Sequence, residues 1–317
     1  MTTSLERLTA GGFSIGLEAP LDHDWTPAGD QARRRDGRQF GEPDLRQHAE
    51  LAKLADHLGF RALWIRDVPL YDPSFGDAAQ VFEVFSYLGY LAGVTENILL
   101  GTAAVVLPIR EPLLTLKSAA SIQRLSGNRL LLGVASGDRP VEYPLFGRDF
   151  EGRGNNFREQ VALLRDGANG HLPEGLAVLP STTSPLPLLV AGLAQQSPAW
   201  IGENMDGCLA YPGTPDDHQR RVAAWRAVAS DKPYNSFIHL DLAKRPDEPM
   251  RRWRFGFRGG RNALIAELNA LRAAGVDHVG LHLRRNERPL DETLREIGEF
   301  VLPQFHTGEL TQPEAFL

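Results

Sequence analysis

The strongest constraint on the fold is an eightfold alternation between short apolar segments and longer amphipathic segments along the 317 residues. The segment 98–106 consists almost entirely of apolar and small residues, a pattern typical of a strand buried on both faces. In residues 43–58, by contrast, Leu51, Leu54 and Leu58 recur at a helical spacing, and Gly59 follows them as a helix terminator. Strands that alternate with helices in this way pair in parallel through helical crossovers.

Eight such repeats can be placed on the sequence. The predicted strands lie at 13–17, 62–65, 98–106, 129–135, 187–191, 207–211, 236–242 and 278–283. The predicted helices lie at 43–58, 79–94, 112–125, 156–165, 197–205, 215–229, 261–274 and 289–301. Eight repeats favour an α/β protein with a closed (β/α)8 or TIM barrel, and an open doubly wound sheet is the alternative.

The length fits one such domain with additions. A barrel of this type takes about 250 residues, so we expect a single domain over residues 1–317 with insertions at 136–155, 166–186 and 243–260. The first and third insertions follow strands, at the face where barrels hold their active sites. The second lies at the opposite face, where we expect a packing or connecting role.

Composition narrows the function classes. A net charge of −6 lacks the basic footprint of a nucleic-acid-binding protein, and a single cysteine, Cys208, excludes a disulfide framework. The sequence has no glycine-rich dinucleotide motif, no P-loop and no zinc-binding helix motif, so we predict no metal site. The sequence shows no apolar signal segment and no apolar stretch long enough to cross a membrane, so we expect a cytoplasmic protein.

Several strings in the first half of the chain carry a resemblance. They are Ala52-x-x-Ala-Asp-x-Leu-Gly-Phe60, Gly101-Thr-Ala-Ala-Val-Val-Leu-Pro108, and Leu-Ser-Gly-Asn-Arg followed by Leu-Leu-Leu-Gly-Val-Ala-Ser-Gly137. In combination they resemble the bacterial luciferase-like monooxygenases, with similarity from about residue 13 to residue 302. The resemblance implies a (β/α)8 barrel that uses reduced FMN or, in one branch, a deazaflavin. Luciferases carry a cysteine at the position of Ala135, so light emission is not implied.

The resemblance also implies cofactor-binding positions. Ala103–Ala104 matches a cis peptide that supports the flavin ring, although two alanines also suit a layer of barrel packing. The loop 192–197 matches the phosphate loop, where unpaired N–H groups would hold the anion; an ordinary turn with a serine cap is the alternative. The residues of this loop assigned to the cofactor are Gly192, Leu193, Ala194, Gln195 and Gln196.

A second group of cofactor candidates follows the fourth predicted strand. Ser136, Arg139 and Tyr143 lie there, and an arginine can bind a phosphate through two hydrogen bonds. The alternative for Arg139 is a structural ion pair with Asp138 or Glu142.

Candidate catalytic groups lie at the ends of the second, seventh and eighth strands: Arg66, Asp67, His239 and His282. Arg66 and Asp67 either orient a substrate or pair with each other. His239 with Asp241, and His282 with Arg284, alternate by two, so each pair shares one side of its strand. Glu18 is a similar candidate, and the predicted apolar walls are formed by Trp25, Trp64, Tyr71 and Phe75.

We therefore predict a flavin-dependent oxidoreductase, in first place a monooxygenase that uses reduced FMN and O2 on a small organic substrate. Deazaflavin-dependent hydride transfer and a non-catalytic flavin-binding protein are the alternatives. A separate flavin reductase would deliver the reduced cofactor. The helix at 79–94 is apolar over more than one face, which predicts a homodimer around it. The arginines at 251, 252, 254 and 258 are either solvated or part of a lid.

Overall fold

Eight parallel strands close into a barrel in the computed structural model, which describes residues 2–72, 74, 82–181 and 185–306. The strands are β1 (Ser14–Glu18), β2 (Ala62–Ile65), β3 (Leu99–Thr102), β4 (Leu130–Ala135), β5 (Leu188–Ala191), β6 (Gly207–Leu209), β7 (Tyr234–Leu242) and β8 (His278–His282), and Val105–Val106 continues β3. Strand β8 pairs with both β7 and β1. This closure confirms the (β/α)8 barrel and excludes the open sheet.

The surrounding helices are α1 (Ser4–Thr9), α2 (Pro27–Arg35), α3 (His48–His57), α4 (Val84–Val94), α5 (Pro112–Leu125), α6 (Glu142–Leu145), α7 (Arg153–Asp166), α8 (Pro198–Asn204), α9 (Pro215–Ala229), α10 (Arg261–Ala273) and α11 (Leu290–Glu296). The bounds predicted for α5 and α9 are confirmed, because each begins with proline in its first turn. The helix predicted at 43–58 begins only at His48. Asp44 instead forms an ion pair with Arg46, in a turn that precedes the helix.

The amino-terminal half of the barrel interior is filled with large apolar side chains. These are Trp64, Leu99, Leu131, Leu189, Leu209 and Phe237, and all are less than a tenth exposed. Helix α1, which the sequence pattern did not reveal, closes this end with the fully buried Leu8. Ser4 ties the helix to the barrel by donating a hydrogen bond to the Leu130 carbonyl over 2.7 Å. A second core fills the space between the strands and the outer helices.

The insertion at 243–260 folds into a β-hairpin with strands Arg251–Trp253 and Gly256–Gly259. The second hairpin strand pairs in parallel with β7 from His239 to Leu242. Strand β6 ends at Leu209, so the carboxyl-terminal part of β7 lacks a neighbour there, and the hairpin supplies one. The second strand of the hairpin is therefore part of the barrel wall.

Within the described residues, no helix is both long and apolar enough to cross a membrane. In the same part of the chain, no group of three or more histidine, cysteine, aspartate or glutamate side chains is placed to hold a metal ion. Cys208 lies on β6 and is buried, and burial raises the pKa of its thiol. It is a core residue, as the sequence predicts.

Candidate functional site

One wall of the barrel mouth is built from small side chains. Ala103, Ala135 and Ala191 lie at the ends of β3, β4 and β5, and each is only partly buried. The peptide bond between Ala103 and Ala104 is cis, as the resemblance implies. Below this level Gly101 leaves room for the Trp64 ring, since a Cβ there would lie 2.2 Å from it. Three neighbouring strands thus end in a surface without bulky side chains, against which a planar ring can lie.

The opposite wall carries two histidines and a tryptophan. The rings of His239 and His282 stack with centroids 4.2 Å apart and planes 23° apart. The Trp25 ring lies 4.8 Å from that of His282, with a tilt of 40°. His282 is 1% exposed, and neither of its ring nitrogens has a hydrogen-bond partner among the residues that the structure describes. Burial lowers the pKa of His282 well below its usual value, so the ring is neutral near pH 7.

Arg66 and Asp67 have different surroundings, although they are consecutive. Arg66 lies on the inner side of the wall, with its Nε 2.5 Å from Oε1 of Glu18 on β1. Asp67 binds Arg110 through contacts of 2.6 and 2.9 Å and accepts the Val106 N–H. The predicted pairing of Arg66 with Asp67 is wrong, because consecutive residues of an extended chain point to opposite faces. Asp67 fixes the backbone after Ala104 instead of facing the mouth.

Asp241 and Arg284, which lie two residues after His239 and His282, form the rim of the barrel mouth. Arg284, 1% exposed, binds both carboxylate oxygens of Asp22 at 2.7 and 3.0 Å. Asp241 accepts a hydrogen bond of 2.5 Å from Arg258, one of the arginines of the hairpin. A buried ion pair with good geometry fixes two chain segments relative to each other. The first pair joins the segments that follow β8 and β1, and the second joins β7 to the hairpin that follows it.

The loop after β5 has an unusual backbone. Gly192, Ala194 and Gln195 all have positive φ, at 61°, 45° and 61°, a region that residues other than glycine rarely adopt. The N–H groups of Leu193, Ala194 and Gln195 meet no acceptor within the described part of the chain. Successive N–H groups in such a conformation form a concave site for an anion. This is the chemistry that a phosphate requires.

Two arginines that the sequence analysis missed lie on α7, the helix that packs against this loop. Gln196 accepts hydrogen bonds of 2.9 and 3.1 Å from Arg158 and donates one of 2.7 Å to the Gly154 carbonyl. Helix α7 therefore packs its first turn against the loop. Arg153 begins that helix and stacks on the Phe150 ring at 3.7 Å. The sequence feature that could have revealed these arginines is their position in the first two turns of a helix that directly follows an insertion at the active face.

Ser136, Arg139 and Tyr143 come together on the other side of the same helix start. The Tyr143 hydroxyl donates to the Ser136 carbonyl, and its ring packs on Phe150 at 5.0 Å. Arg139 donates to the Leu70 carbonyl and lies 3.5 Å from Glu142. The structural ion pair that the sequence offered as an alternative is therefore present. Contact of this group with a phosphate remains a prediction.

The aromatic residues predicted to line the mouth have different positions. Trp25 lies there, but Trp64 is fully buried in the lower core, where it bonds His278. The prediction for Trp64 is wrong because it lies mid-strand, one layer below Arg66. Tyr71 is 46% exposed and packs on Phe40. Phe75 lies outside the described residues.

Comparisons with known proteins agree with the barrel fold. Over 203 residues, 29% are identical to an uncharacterised protein of Mycobacterium tuberculosis, and the match spans 57% of this chain and 70% of that protein. The solved monooxygenase RslO1 from Streptomyces bottropensis has a TM-score of 0.72 at 21% identity, covering 92% of this chain and all of that one.

Two further solved structures contain a bound cofactor. An F420-dependent secondary alcohol dehydrogenase, in complex with an F420–acetone adduct, has a TM-score of 0.69 at 14% identity, covering 91% and 98% of the two chains. The oxygenating constituent of 3,6-diketocamphane monooxygenase from Pseudomonas putida, in complex with FMN, has a TM-score of 0.67 at 14% identity, covering 92% and 99%. A family model described as luciferase-like monooxygenase matches residues 25–253. Because that match spans most of the chain, this protein belongs to the luciferase-like monooxygenase family.

Proposed function

We propose that this protein is a flavin-dependent monooxygenase that uses reduced FMN and O2 to oxidise a small organic substrate. The observation that carries the proposal is the contrast between the two walls of the mouth. The surface formed by Ala103, Ala135 and Ala191 accepts a planar ring, and His282 opposite it is buried with both nitrogens unpaired within the described residues. Strongly perturbed and unpaired groups in a concave site are typical of a binding or catalytic centre.

The residues present fit FMN. The alanine wall would hold the ring, and the N–H groups of Leu193, Ala194 and Gln195, with Arg158 beside them, would hold the phosphate. Reduced FMN, when bound, would supply the electrons with which O2 is activated. The phosphate loop and the alanine wall belong to neighbouring strands, β3 to β5, so one rigid part of the barrel carries both contacts.

The remaining residues would orient the substrate and exclude water. His282 is neutral, so one ring nitrogen can accept a proton from the substrate and the other can donate a hydrogen bond. The His239 ring stacks on His282, and the Trp25 ring packs at a tilt against both histidines. Arg66, with Glu18 beside it, places a cationic side chain below the rim. We propose Arg66, His239 and His282 as the substrate-facing groups.

Deazaflavin-dependent hydride transfer is the second candidate, favoured by the likeness in fold to an F420-dependent dehydrogenase. Anaerobic titration of the apoprotein with FMN, reduced FMN and F420, followed by fluorescence, separates the two. We expect a dissociation constant for reduced FMN in the micromolar range or tighter, roughly 1 μM, and weaker binding of F420. Absence of binding of all three at about 100 μM would overturn the flavin proposal. Tight FMN binding without substrate-dependent O2 consumption would favour a non-catalytic flavin-binding protein.

The alanine wall can be tested separately with Ala135→Val. The added methyl groups intrude into the space for the ring, and we expect FMN binding to weaken at least about tenfold, equivalent to 1.4 kcal/mol. Ala223→Val, on the exposed face of α9, is the matched control and should bind FMN as the wild type does. Equal FMN affinity in all three proteins would place the ring elsewhere.

We also propose a homodimer built around α4 and a separate flavin reductase as the source of reduced FMN. Phe85, Leu88 and Leu91 of α4 are buried within the subunit, while Tyr90 is 45% exposed and Phe82, just before the helix, is 39% exposed. Leu114 and Leu125 on the neighbouring α5 are 65% and 73% exposed. Light scattering at micromolar concentration should give the mass of two chains; the mass of one chain would contradict the dimer.

A further inference from the structure

A cavity of about 490 Å3 lies outside the barrel mouth, between the hairpin at 251–259 and the loop at 211–214 that leads into α9. We call it the side cavity. It exists because β6 ends at Leu209 while β7 continues to Leu242, and the hairpin only partly fills the gap between them. Its volume falls within the range of small-molecule sites, about 300–1,000 Å3.

Aromatic side chains line the side cavity on two sides. Tyr211 is 69% exposed on the loop, and Trp253 is 37% exposed on the hairpin. Phe255, at the tip of the hairpin, lines the cavity as well. Exposed aromatic rings around a cavity offer a large contact area at low conformational cost, and they favour a planar ligand.

The charge of the side cavity is opposite to that of the protein. Arg221, Arg252 and Arg254 line it against Asp217 and Glu267, which gives +3 and −2, or a local balance of +1, whereas the whole chain carries −6. Arg252 is paired with Glu267, and Asp217 with Arg220.

Two of these arginines lack a close carboxylate partner within the described residues, although the charge of Arg221 also helps to lower the pKa of Asp217. Arg221 and Arg254 form no salt bridge with any carboxylate among the described residues. Arg221 donates one hydrogen bond to the Tyr211 carbonyl, and Arg254 stacks on Phe255. The cavity therefore offers cationic groups to an anionic ligand.

The side cavity borders the histidine wall. The Phe255 ring lies 5.9 Å from that of His239, and the His239 N–H donates to the Phe255 carbonyl. Trp253 also lines a second cavity, of about 230 Å3, together with Trp25 and Asp241 at the barrel rim. Phe255 thus borders both the side cavity and His239, and Trp253 borders both the side cavity and the cavity at the rim.

We propose that the side cavity binds the part of the substrate that lies away from the flavin, and that this part is an aromatic ring bearing an anionic group. Trp253 and Phe255 would determine which substrates extend from the cavity to His239. The substrate role rests on the proposed function, but binding of an aromatic anion can be measured without any flavin.

The test is titration calorimetry of the full chain, without flavin, with 2-naphthoate and its neutral match 2-naphthamide. Tyr211→Ala should weaken the binding of both probes about fivefold, the effect of one lost aromatic contact. Arg254→Ala should weaken 2-naphthoate about threefold, as expected for an exposed charge pair, and leave 2-naphthamide unchanged. Arg251→Ala is the control, because its side chain is 74% exposed on the same hairpin and does not line the cavity.

Absence of 2-naphthoate binding to the wild type at about 1 mM, or equal affinity in the wild type and the Tyr211 and Arg254 variants, would overturn the inference. Flavin binding measured on the same proteins distinguishes this from failure of the proposed function. If flavin binds and the cavity variants have no effect, only the inference is wrong. If naphthoate binds in the predicted order but no flavin binds, the cavity stands as an aromatic-anion site and the proposed function is wrong.

Discussion

His278 and His282 lie four residues apart on β8, both fully or almost fully buried, yet their surroundings differ completely. The Trp64 indole donates to Nε2 of His278, and Nδ1 of His278 lies 2.7 Å from the Ser14 hydroxyl. Since the indole can only donate, Nε2 is the acceptor and the proton is on Nδ1. The Ser14 oxygen accepts a hydrogen bond from Nδ1–H, and the Ser14 hydroxyl donates in turn to the Leu8 carbonyl over 2.6 Å. Every polar hydrogen of this lower group is satisfied.

His282 has no such partners within the described residues; the His239 ring stacks on it instead, and the Trp25 ring packs against it at a tilt. A buried polar group without a hydrogen bond costs about 1–3 kcal/mol. A bound ligand or an ordered water can supply the missing contacts. The comparison therefore separates a structural histidine, which fixes the floor of the barrel, from one whose hydrogen bonds are left for a bound molecule.

The largest expected effect concerns the lower half of the barrel. Trp64→Ala removes a fully buried ring and leaves a cavity, so the free energy of unfolding should fall by about 3–5 kcal/mol. Trp25→Ala, at the upper level, should cost less than about 2 kcal/mol, because Trp25 is only partly buried and its Nε1 has no acceptor among the described residues. Urea denaturation of both variants measures the difference, and equal losses would contradict the division into two halves.

The next effect concerns the two histidines directly. His278→Leu leaves the Trp64 indole and the Ser14 hydroxyl without their partner, and we expect a loss of about 2–3 kcal/mol. His282→Leu breaks no hydrogen bond of the described chain, so its free energy of unfolding should stay within about 1 kcal/mol of the wild type. FMN-dependent turnover should instead fall about a hundredfold or more in His282→Leu if this ring moves a proton. A stable, fully active His282→Leu protein would remove His282 from the mechanism.

A smaller effect, common to both histidines, is the dependence of stability on pH. Burial lowers the pKa of each well below the usual value, and it lowers the pKa of His48 and His218 to about 4. As the pH falls below about 6.5 the unfolded chain binds protons that the folded chain does not, so stability decreases. The free energy of unfolding of either leucine variant should depend less steeply on pH between pH 6 and pH 5, by up to about 1.4 kcal/mol per pH unit. An unchanged slope for His282→Leu would mean that folding does not lower the pKa of this ring.

The smallest effect is expected at the side cavity. Tyr211→Ala should change the free energy of unfolding by less than about 0.5 kcal/mol, since the ring is 69% exposed. Thermal denaturation checks this, and a melting temperature far below that of the wild type would show that Tyr211 supports the fold.

Most helices and strands of the barrel could be predicted because the sequence features that mark them are local. Proline in the first turn marks where α9 and α5 begin, a capping threonine also marks α9, and buried apolar runs mark the strands. The hairpin at 251–259 was not predictable in the same way. The charges of Arg251 and Arg252 suggest a solvent-exposed loop. The pairing of the hairpin with β7 depends on the early end of β6, more than forty residues before it in the chain.

Only those features of the site that follow from the alternation of side chains along a strand could be predicted from the sequence. A period of two correctly places His239 and His282 on inward faces, but it does not show that their rings stack. It also cannot show that Asp67 faces Arg110, because that partner comes from a different βα unit. The contact between Arg158 and Gln196 could not be predicted for the same reason, because it joins α7 to the loop after β5.

The hairpin has one more consequence. A closed barrel has no edges, but the strand Arg251–Trp253 pairs with Gly256–Gly259 on one side only, as far as the described strands show, and all three of its residues are exposed. Such an edge is a template on which a second chain can add a strand and begin aggregation. Arginines at 251 and 252 place charge along it, which opposes that growth at high protein concentration.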